Sequence, residues 1–209
     1  MRIAFFGGTF DPPHCGHIAE ARAALAADRT DRVLFVPAYA PPHKDGRPIR
    51  SFADRLRMAE LATAGEPGMA VSDIERELAF SPSYTFRVLE VLAQRFPGDR
   101  WQLLIGGDSL ALLHEWHRGR EIAARWEVLT YPRAGCTPSA AELTRNWPPE
   151  LAAKLAAGQL AGDFWQISST EIRKKLANGE IPATVIPRRV REYLEKRRLY
   201  AGRPTGEER

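Results

Sequence analysis

The apolar run Ile3-Ala4-Phe5-Phe6 leads directly into Gly7-Gly8-Thr9-Phe10-Asp11-Pro12-Pro13-His14-Cys15-Gly16-His17, and an alanine-rich stretch of helical character follows. A strand that turns through glycines into a helix is the junction at which an α/β protein binds phosphate. The glycines let a ligand approach the backbone, and the helix start offers unpaired N–H groups and the positive end of its dipole. Pro12 and Pro13 stiffen the turn, and His14 and His17 add two imidazoles that can act on a bound nucleotide. A zinc site built on His14, Cys15 and His17 has the right ligand types. Its spacing suits neither a zinc finger nor a metalloprotease helix, however, and no second Cys/His pair follows at the usual distance.

Strand and helix patterns alternate along the rest of the chain. Apolar runs predict strands over Ile3 to Phe6, Val33 to Pro37, Met69 to Asp73, Trp101 to Ile105, Glu127 to Tyr131 and Phe164 to Ile167. Helical spacing predicts helices over Ile18 to Ala27, Ala53 to Ala64, Tyr84 to Arg95, Glu121 to Arg125, Pro149 to Ala157, Thr170 to Leu176 and Arg188 to Arg197. Such alternation predicts an α/β fold, a Rossmann-like, doubly wound and mostly parallel sheet with helices on both faces. Ligands of these sheets gather beyond the carboxyl ends of the strands, where the strand order reverses. The pattern is uninterrupted by repeats. It implies one domain over residues 1–200 and a frayed tail over residues 201–209.

The 209 residues suffice for one generous core, and an apolar content of 44% with 27% charged residues excludes a disordered chain. No apolar run approaches the roughly 18 residues of a membrane span, and no signal-peptide pattern follows Met1, so a cytoplasmic protein without a membrane partner is expected. Two cysteines do not suggest a disulfide scaffold. The net charge of +4 owes much to Arg173-Lys174-Lys175, Arg188-Arg189, Arg191 and Lys196-Arg197-Arg198. No RNA-recognition signature, zinc finger or aromatic platform accompanies these residues, so no nucleic-acid partner is expected. Basic charge equally steers polyanionic nucleotides.

A second junction lies at Ile167-Ser168-Ser169-Thr170-Glu171-Ile172-Arg173. Ser168 with Glu171 fits a capping box, which alone would mark an ordinary helix start. Together with the first junction it resembles the second motif, ISSTxxR, of the HxGH nucleotidyltransferase superfamily, whose first motif matches residues 7 to 17. Further landmarks bring the resemblance to the bacterial nicotinate mononucleotide adenylyltransferases, which make deamido-NAD and pyrophosphate from ATP and nicotinate mononucleotide. Pro41-Pro42-His43-Lys44 is similar to their PPHK segment, Ser83-Tyr84-Thr85 to their SYT helix start, and Ile105-Gly106-Gly107-Asp108-Ser109 to their IGADS turn. Trp116 falls where the family carries a tryptophan. The chain departs from the family at Phe86-Arg87-Val88-Leu89, where Asp-Thr-Leu is usual after one variable residue, and at Gly107, where alanine is usual.

The resemblance implies roles for these residues. His14 and His17 would donate to the α-phosphate of ATP, and Arg173 would add charge beside them. Gly7, Gly8, Thr9 and Phe10 would enclose ATP, with Ile167, Ser168, Ser169 and Thr170 holding its outer phosphates. Gly106 would shape the turn before Asp108, whose carboxylate would accept from a ribose hydroxyl; without the resemblance Asp108 reads equally well as a helix N-cap. Lys44 would meet the mononucleotide phosphate, Trp116 would stack on the nicotinate ring, and Tyr84 and Thr85 would offer backbone groups to its carboxylate. Arg133, in Pro132-Arg133-Ala134-Gly135 after a strand, is assigned to the substrate. Mg²⁺ is expected to arrive bound to ATP rather than in a protein cage, so no residue is assigned as a metal ligand. A homo-oligomer is left open.

Overall fold

The computed structural model describes residues 1–41, 49–133, 135–162 and 167–200. Among them, five strands pair in the order β3-β2-β1-β4-β5: β1 (Arg2–Gly8), β2 (Arg32–Pro37), β3 (Met69–Val71), β4 (Arg100–Gly106) and β5 (Glu127–Tyr131). All the pairings are parallel, with Phe5 opposite Leu34 on one side and Leu103 on the other. The sheet is thus wholly parallel over the described residues, where a mostly parallel one was expected. Of the sixth expected strand, residues 164–166 lie outside the described residues and Ile167 is not in a strand.

The period-two alternation of a strand sorts the strand side chains into two cores. Phe5, Val36, Leu103, Ile105 and Val128 point to one face. There they meet α3 (Ile74–Leu78), α4 (Thr85–Arg95), α5 (Gly107–Leu112), α6 (Gly119–Arg125), α7 (Ala140–Asn146) and α8 (Pro149–Ala157) through Ile74, Phe86, Leu89, Leu110, Ile122, Leu143 and Leu155. Ala4, Phe6, Val33, Phe35, Leu104 and Leu129 point to the other face. That face is covered by α1 (Cys15–Ala26), α2 (Phe52–Thr63), α9 (Ser169–Ala177) and α10 (Arg188–Arg197), through Ile18, Met58, Ile172 and Val190. Burial on both sides explains why the strands read as continuous apolar runs rather than as a half-polar alternation. No helix among the described residues is long and apolar enough to cross a membrane.

The α8 and α10 helices occupy their expected bounds, and α1, α2, α4, α6 and α9 differ from theirs by a few end residues. Helices α3, α5 and α7 were not expected. They run only five to seven residues, too short to develop a 3.6-residue apolar period. Strand β3 stops at Val71, short of Asp73, because Asp73 is already the residue before α3.

Sheet and helix meet closely at the end of α8. Gly158 accepts a hydrogen bond from the Thr130 N–H at 2.9 Å, and Leu160 donates back to the Thr130 carbonyl at 2.7 Å, so the chain runs beside β5. A Cβ at Gly158 would stand 1.9 Å from the backbone oxygen of Val128, and backbone cannot rotate out of the way. Gly158→Ala should therefore lower stability by about 1–3 kcal/mol, the usual cost of forced overpacking. The check is the urea midpoint at unchanged m-value; an unaltered midpoint would show that β5 and α8 are not held this tightly.

Candidate active site

The strand order reverses between β1 and β4, and the loops after these two strands therefore bound the crevice in which an open parallel sheet binds ligands. The loop after β1 is fixed by groups from four distant parts of the chain. Buried Arg55 of α2 donates to the Thr9 carbonyl at 3.0 Å, and Arg173 of α9 donates to the Asp11 carbonyl at 2.7 Å. The Ser169 hydroxyl donates to the Pro12 carbonyl at 3.0 Å, and the Cys15 N–H donates to the Val185 carbonyl at 2.8 Å. The Asp11 carboxylate, itself buried, accepts from the hydroxyl of Tyr200. Hydrogen bonds from charged donors are worth about 1.5–3 kcal/mol each. This loop is consequently a rigid part of the fold, although glycines begin it.

Its rigidity sets the two imidazoles. His14 is the residue before α1, and its backbone N–H donates to His17 Nδ1 at 3.1 Å. In a neutral imidazole one nitrogen accepts and the other carries the proton. With Nδ1 committed as acceptor, His17 holds its proton on Nε2. The rings stack at 3.7 Å between centroids and 26° between planes, and Phe10 meets His17 edge-on at 5.1 Å. Burial, and then the nearby Arg133 guanidinium, push His14 down to about 4. Burial, with His14 and Arg133 as further causes, drives His17 well below the ordinary imidazole range. Both rings are therefore neutral N–H donors at neutral pH rather than cations.

Helix α9 begins beside them. Ser168 Oγ accepts from the Glu171 N–H at 3.2 Å, the first half of the expected capping box, and Arg173 Nη2 reaches Thr170 Oγ1 at 3.1 Å. Ser169, Thr170 and Arg173 are thus brought against the His14 loop from more than 150 residues away.

Across the crevice, Gly106 ends β4 and serves as the residue before α5, so Asp108 is the second residue of that helix and not its N-cap. Its half-exposed carboxylate lies 3.5 Å from Arg133 Nε. A Cβ at Gly107 would stand 2.1 Å from Thr137 Oγ1 and 2.8 Å from its backbone Cα, which accounts for glycine where alanine is usual. Arg133 stands over the end of β4: a Cβ on Gly106 would lie 3.1 Å from Arg133 Nε and 2.9 Å from the Tyr131 hydroxyl.

In front of the sheet lies a cavity of about 660 Å³. Gly7, Gly8 and Thr9 form its floor, Tyr84 and Thr85 one wall, and Trp116 and His117 another. Tyr84 precedes α4 and stacks on His117 at 4.3 Å between centroids. Arg133 does not line this cavity; it belongs with Asp108, His14 and His17. Lys44 falls outside the described residues.

Two buried carboxylates escaped the sequence reading. Glu75 lines the cavity and accepts the Tyr39 N–H at 2.8 Å, tying the loop after β2 to α3, while burial raises it above the usual carboxylate range. Glu20, on α1, lies behind the histidines and faces Arg133. A glutamate inside a helical run reads as a solvated face, and nothing in the residue pattern marks either one as buried.

With this geometry in place, similarity to known proteins fixes the family. A cytidylyltransferase-like family model matches residues 5–175. A protein of Gloeobacter violaceus, described as a probable nicotinate-nucleotide adenylyltransferase, is 39% identical over 205 residues, covering 95% of this chain and 96% of the relative. A Solibacter usitatus protein of the same description is also 39% identical, over 96% of this chain and the whole of the relative. The chain belongs to the nicotinate-nucleotide adenylyltransferase family. Its fold is that of the Plasmodium falciparum nicotinic acid mononucleotide adenylyltransferase solved with APC, at a TM-score of 0.72 over 95% of this chain and 96% of that one, with 16% identity.

The buried imidazoles give this adenylyltransferase an acid sensitivity. A histidine that is neutral when folded and free to charge when unfolded contributes fully above its unfolded pKa, near 6.5, and its contribution is lost as pH falls toward the folded value. For His14, that value is about 4. The loss over this window should amount to roughly 3 kcal/mol. Urea titrations between pH 7 and pH 4 should show the decline in the wild type and a shallower one in His14→Gln; parallel curves would place His14 in solvent.

Proposed function

We propose that this chain transfers the adenylyl group of ATP to nicotinate mononucleotide, giving deamido-NAD and pyrophosphate in NAD biosynthesis. The observation that carries the reading is the locked pair of imidazoles. His17, its Nδ1 occupied by the His14 N–H, presents an Nε2–H donor at a helix start that Arg173 and Ser169 hold in place. A donor prepared in advance costs no reorganisation when charge develops on the α-phosphate, and such groups supply most of the acceleration in phosphoryl-type transfers.

The nucleophile is the 5′-phosphate of the mononucleotide. A phosphate monoester has a second pKa of about 6, so it is already largely dianionic at neutral pH and needs no enzyme base. Burial makes both imidazoles weak bases, which agrees with hydrogen-bond donation rather than proton abstraction. What remains for the protein is to align two anions and neutralise the charge that builds as pyrophosphate leaves. His14 and His17 take the α-phosphate, and Arg173, Ser169 and Thr170 take the outer phosphates at the start of α9, with Ile167 and Ser168 leading into it. Gly7, Gly8, Thr9 and Phe10 form the floor under the nucleotide, and Asp108 after Gly106 accepts from a ribose hydroxyl. Arg133, beside Asp108, is assigned to the ATP side of the crevice rather than to the acceptor.

The 660 Å³ cavity receives the acceptor. Trp116 stacks on the pyridinium ring, for which indole is the best π partner. Backbone groups at Tyr84 and Thr85 meet the nicotinate carboxylate, and Lys44, by resemblance to the family motif, meets the mononucleotide phosphate. Among the described residues no group of three or more His, Cys, Asp and Glu could hold a metal ion. We assign Mg²⁺ to the incoming ATP, where phosphate oxygens and water would hold it and it would supply charge neutralisation. Neither nucleic acid nor a membrane is proposed as a partner, and the place of action is proposed to be the cytoplasm.

A panel of acceptors with ATP and Mg²⁺, scored by pyrophosphate release, tests the assignment. Nicotinate mononucleotide should react well ahead of nicotinamide mononucleotide and phosphopantetheine. Backbone N–H donors satisfy a carboxylate but leave an amide NH₂ unmatched, a penalty of about 1–3 kcal/mol. Equal rates for acid and amide would remove the nicotinate preference.

His17→Ala should lower kcat by about 10²-fold or more, the typical consequence of losing one preorganised donor. ATP affinity should fall far less, because α9 still holds the outer phosphates. A folded variant with near-normal kcat would withdraw residues 7 to 17 from the chemistry.

A further inference from the structure

Glu20 is 3% exposed, yet its carboxylate is not fully paired. Oε1 lies 3.7 Å from Arg133 Nη2, beyond hydrogen-bond distance, and Oε2 has no partner among the described residues. Arg133 is equally unsettled. Its guanidinium lies 3.3 Å from the Tyr131 hydroxyl, 3.5 Å from Asp108 and 3.7 Å from Glu20, and it is tight to none of these three. The contrast is with Arg173 and its 2.7 Å bond to the Asp11 carbonyl. A guanidinium loosely surrounded by acceptors, facing the phosphate crevice, is free to exchange them for a better anion.

Adenylyl transfer from ATP puts such an anion there. Resting on that reading of the site, we propose that Glu20 and the phosphates of ATP compete for Arg133, so that seating ATP is coupled to uptake of a proton by the buried Glu20 carboxyl. With Arg133 drawn to phosphate, an ionised Glu20 would be a buried anion left with only the neutral Tyr131 hydroxyl as partner, beside several more negative charges, and taking up a proton removes that cost. Glu20 is then a positioning residue: where it is ionised it opposes Arg133 across 3.7 Å in the absence of ATP, and it yields Arg133 when ATP arrives.

Burial already raises Glu20 to about 8. Arg133, after β5, pulls it down; Tyr131, on β5, also lowers it through a hydrogen bond, and Asp108, on α5, pushes it up. On its own helix, His14 and His17 are neutral in this range. Withdrawal of Arg133 and the arrival of phosphate charge both act upward. ATP should accordingly bind tighter to the protonated form, with little proton uptake near pH 6.5 and net uptake at pH 8. Above pH 8 its affinity should weaken, at most about tenfold per pH unit for a single linked proton.

The test is titration calorimetry of the full chain with Mg²⁺ and α,β-methylene-ATP, run at pH 6.5 and 8.0 in buffers of unlike ionisation enthalpy. Glu20→Gln, nearly isosteric with the protonated acid, controls for the proton that the nucleotide itself carries. The wild type should take up substantially more protons than Glu20→Gln at pH 8.0, and the variant's affinity should lose the decline above pH 8. Equal uptake by the two, or a wild type with no uptake at pH 8.0, would overturn the coupling, the second result without recourse to any variant. A wild type that does not bind the ATP analogue at all would instead bring down the nucleotide reading of the crevice, and the coupling with it.

Discussion

The structure depends on carbonyl oxygens of the loop after β1 being claimed by residues far away in the chain. Thr9, Asp11 and Pro12 offer their backbone oxygens to Arg55, Arg173 and Ser169. A loop that begins with two glycines would otherwise have freedom to move. These bonds make it a fixed surface on which His14 and His17 have one arrangement, one tautomer and one helix start. They also make the two signature motifs a single object. The arginine of the second motif does not merely wait for phosphate; in this structure its guanidinium braces the backbone of the first. A substitution at Arg173 therefore disturbs the histidines as well as charge neutralisation, and its kinetic effect is not a measure of one contact.

Most of the fold could be read in advance because its strands are buried on both faces. Apolar runs such as Val33 to Pro37 and Trp101 to Ile105 tolerate few polar residues, and punctuation by Gly, Pro and Asp separates them cleanly. The longer helices carry enough turns to show their period. Helices α3, α5 and α7 do not, and α5 was hidden further by Gly106-Gly107, which reads as a turn but is a helix start packed against Thr137. The same misreading made Asp108 a candidate N-cap. The motif residues of the site were legible by type and order. Their mutual geometry was not, because it depends on contacts between residues more than 150 positions apart.

The buried charges mark the boundary of what pattern can convey. Glu20 sits in an alanine-rich helix whose apolar period is too weak to show which side faces the core, and Glu75 sits in a helix of five residues. Each is a carboxylate whose environment favours the neutral form, and each stands next to a different half of the crevice: Glu20 behind the imidazoles, Glu75 in the lining of the 660 Å³ cavity. Carboxylates so placed are costly to the fold when ionised, and the protonated form removes that cost.

Neutral histidines and a carboxyl that burial raises to about 8 would, in the proposed roles, divide the chemistry from the binding. Cationic imidazoles beside Arg133 and Arg173 would have attracted ATP more strongly, and much of that attraction would act on the bound substrate as well as on the transition state. Uniform attraction tightens the ground state without lowering the barrier. Neutral donors give up that ground-state attraction, and their contribution grows as negative charge concentrates on the α-phosphate. On the proposed roles, attraction of the nucleotide then falls to the arginines, one of them bonded to the backbone and the other facing a carboxyl that can take a proton. If that proposal holds, pH acts on the affinity for ATP through Arg133, while the neutral donors assigned to the reacting phosphate stay unchanged across the neutral range.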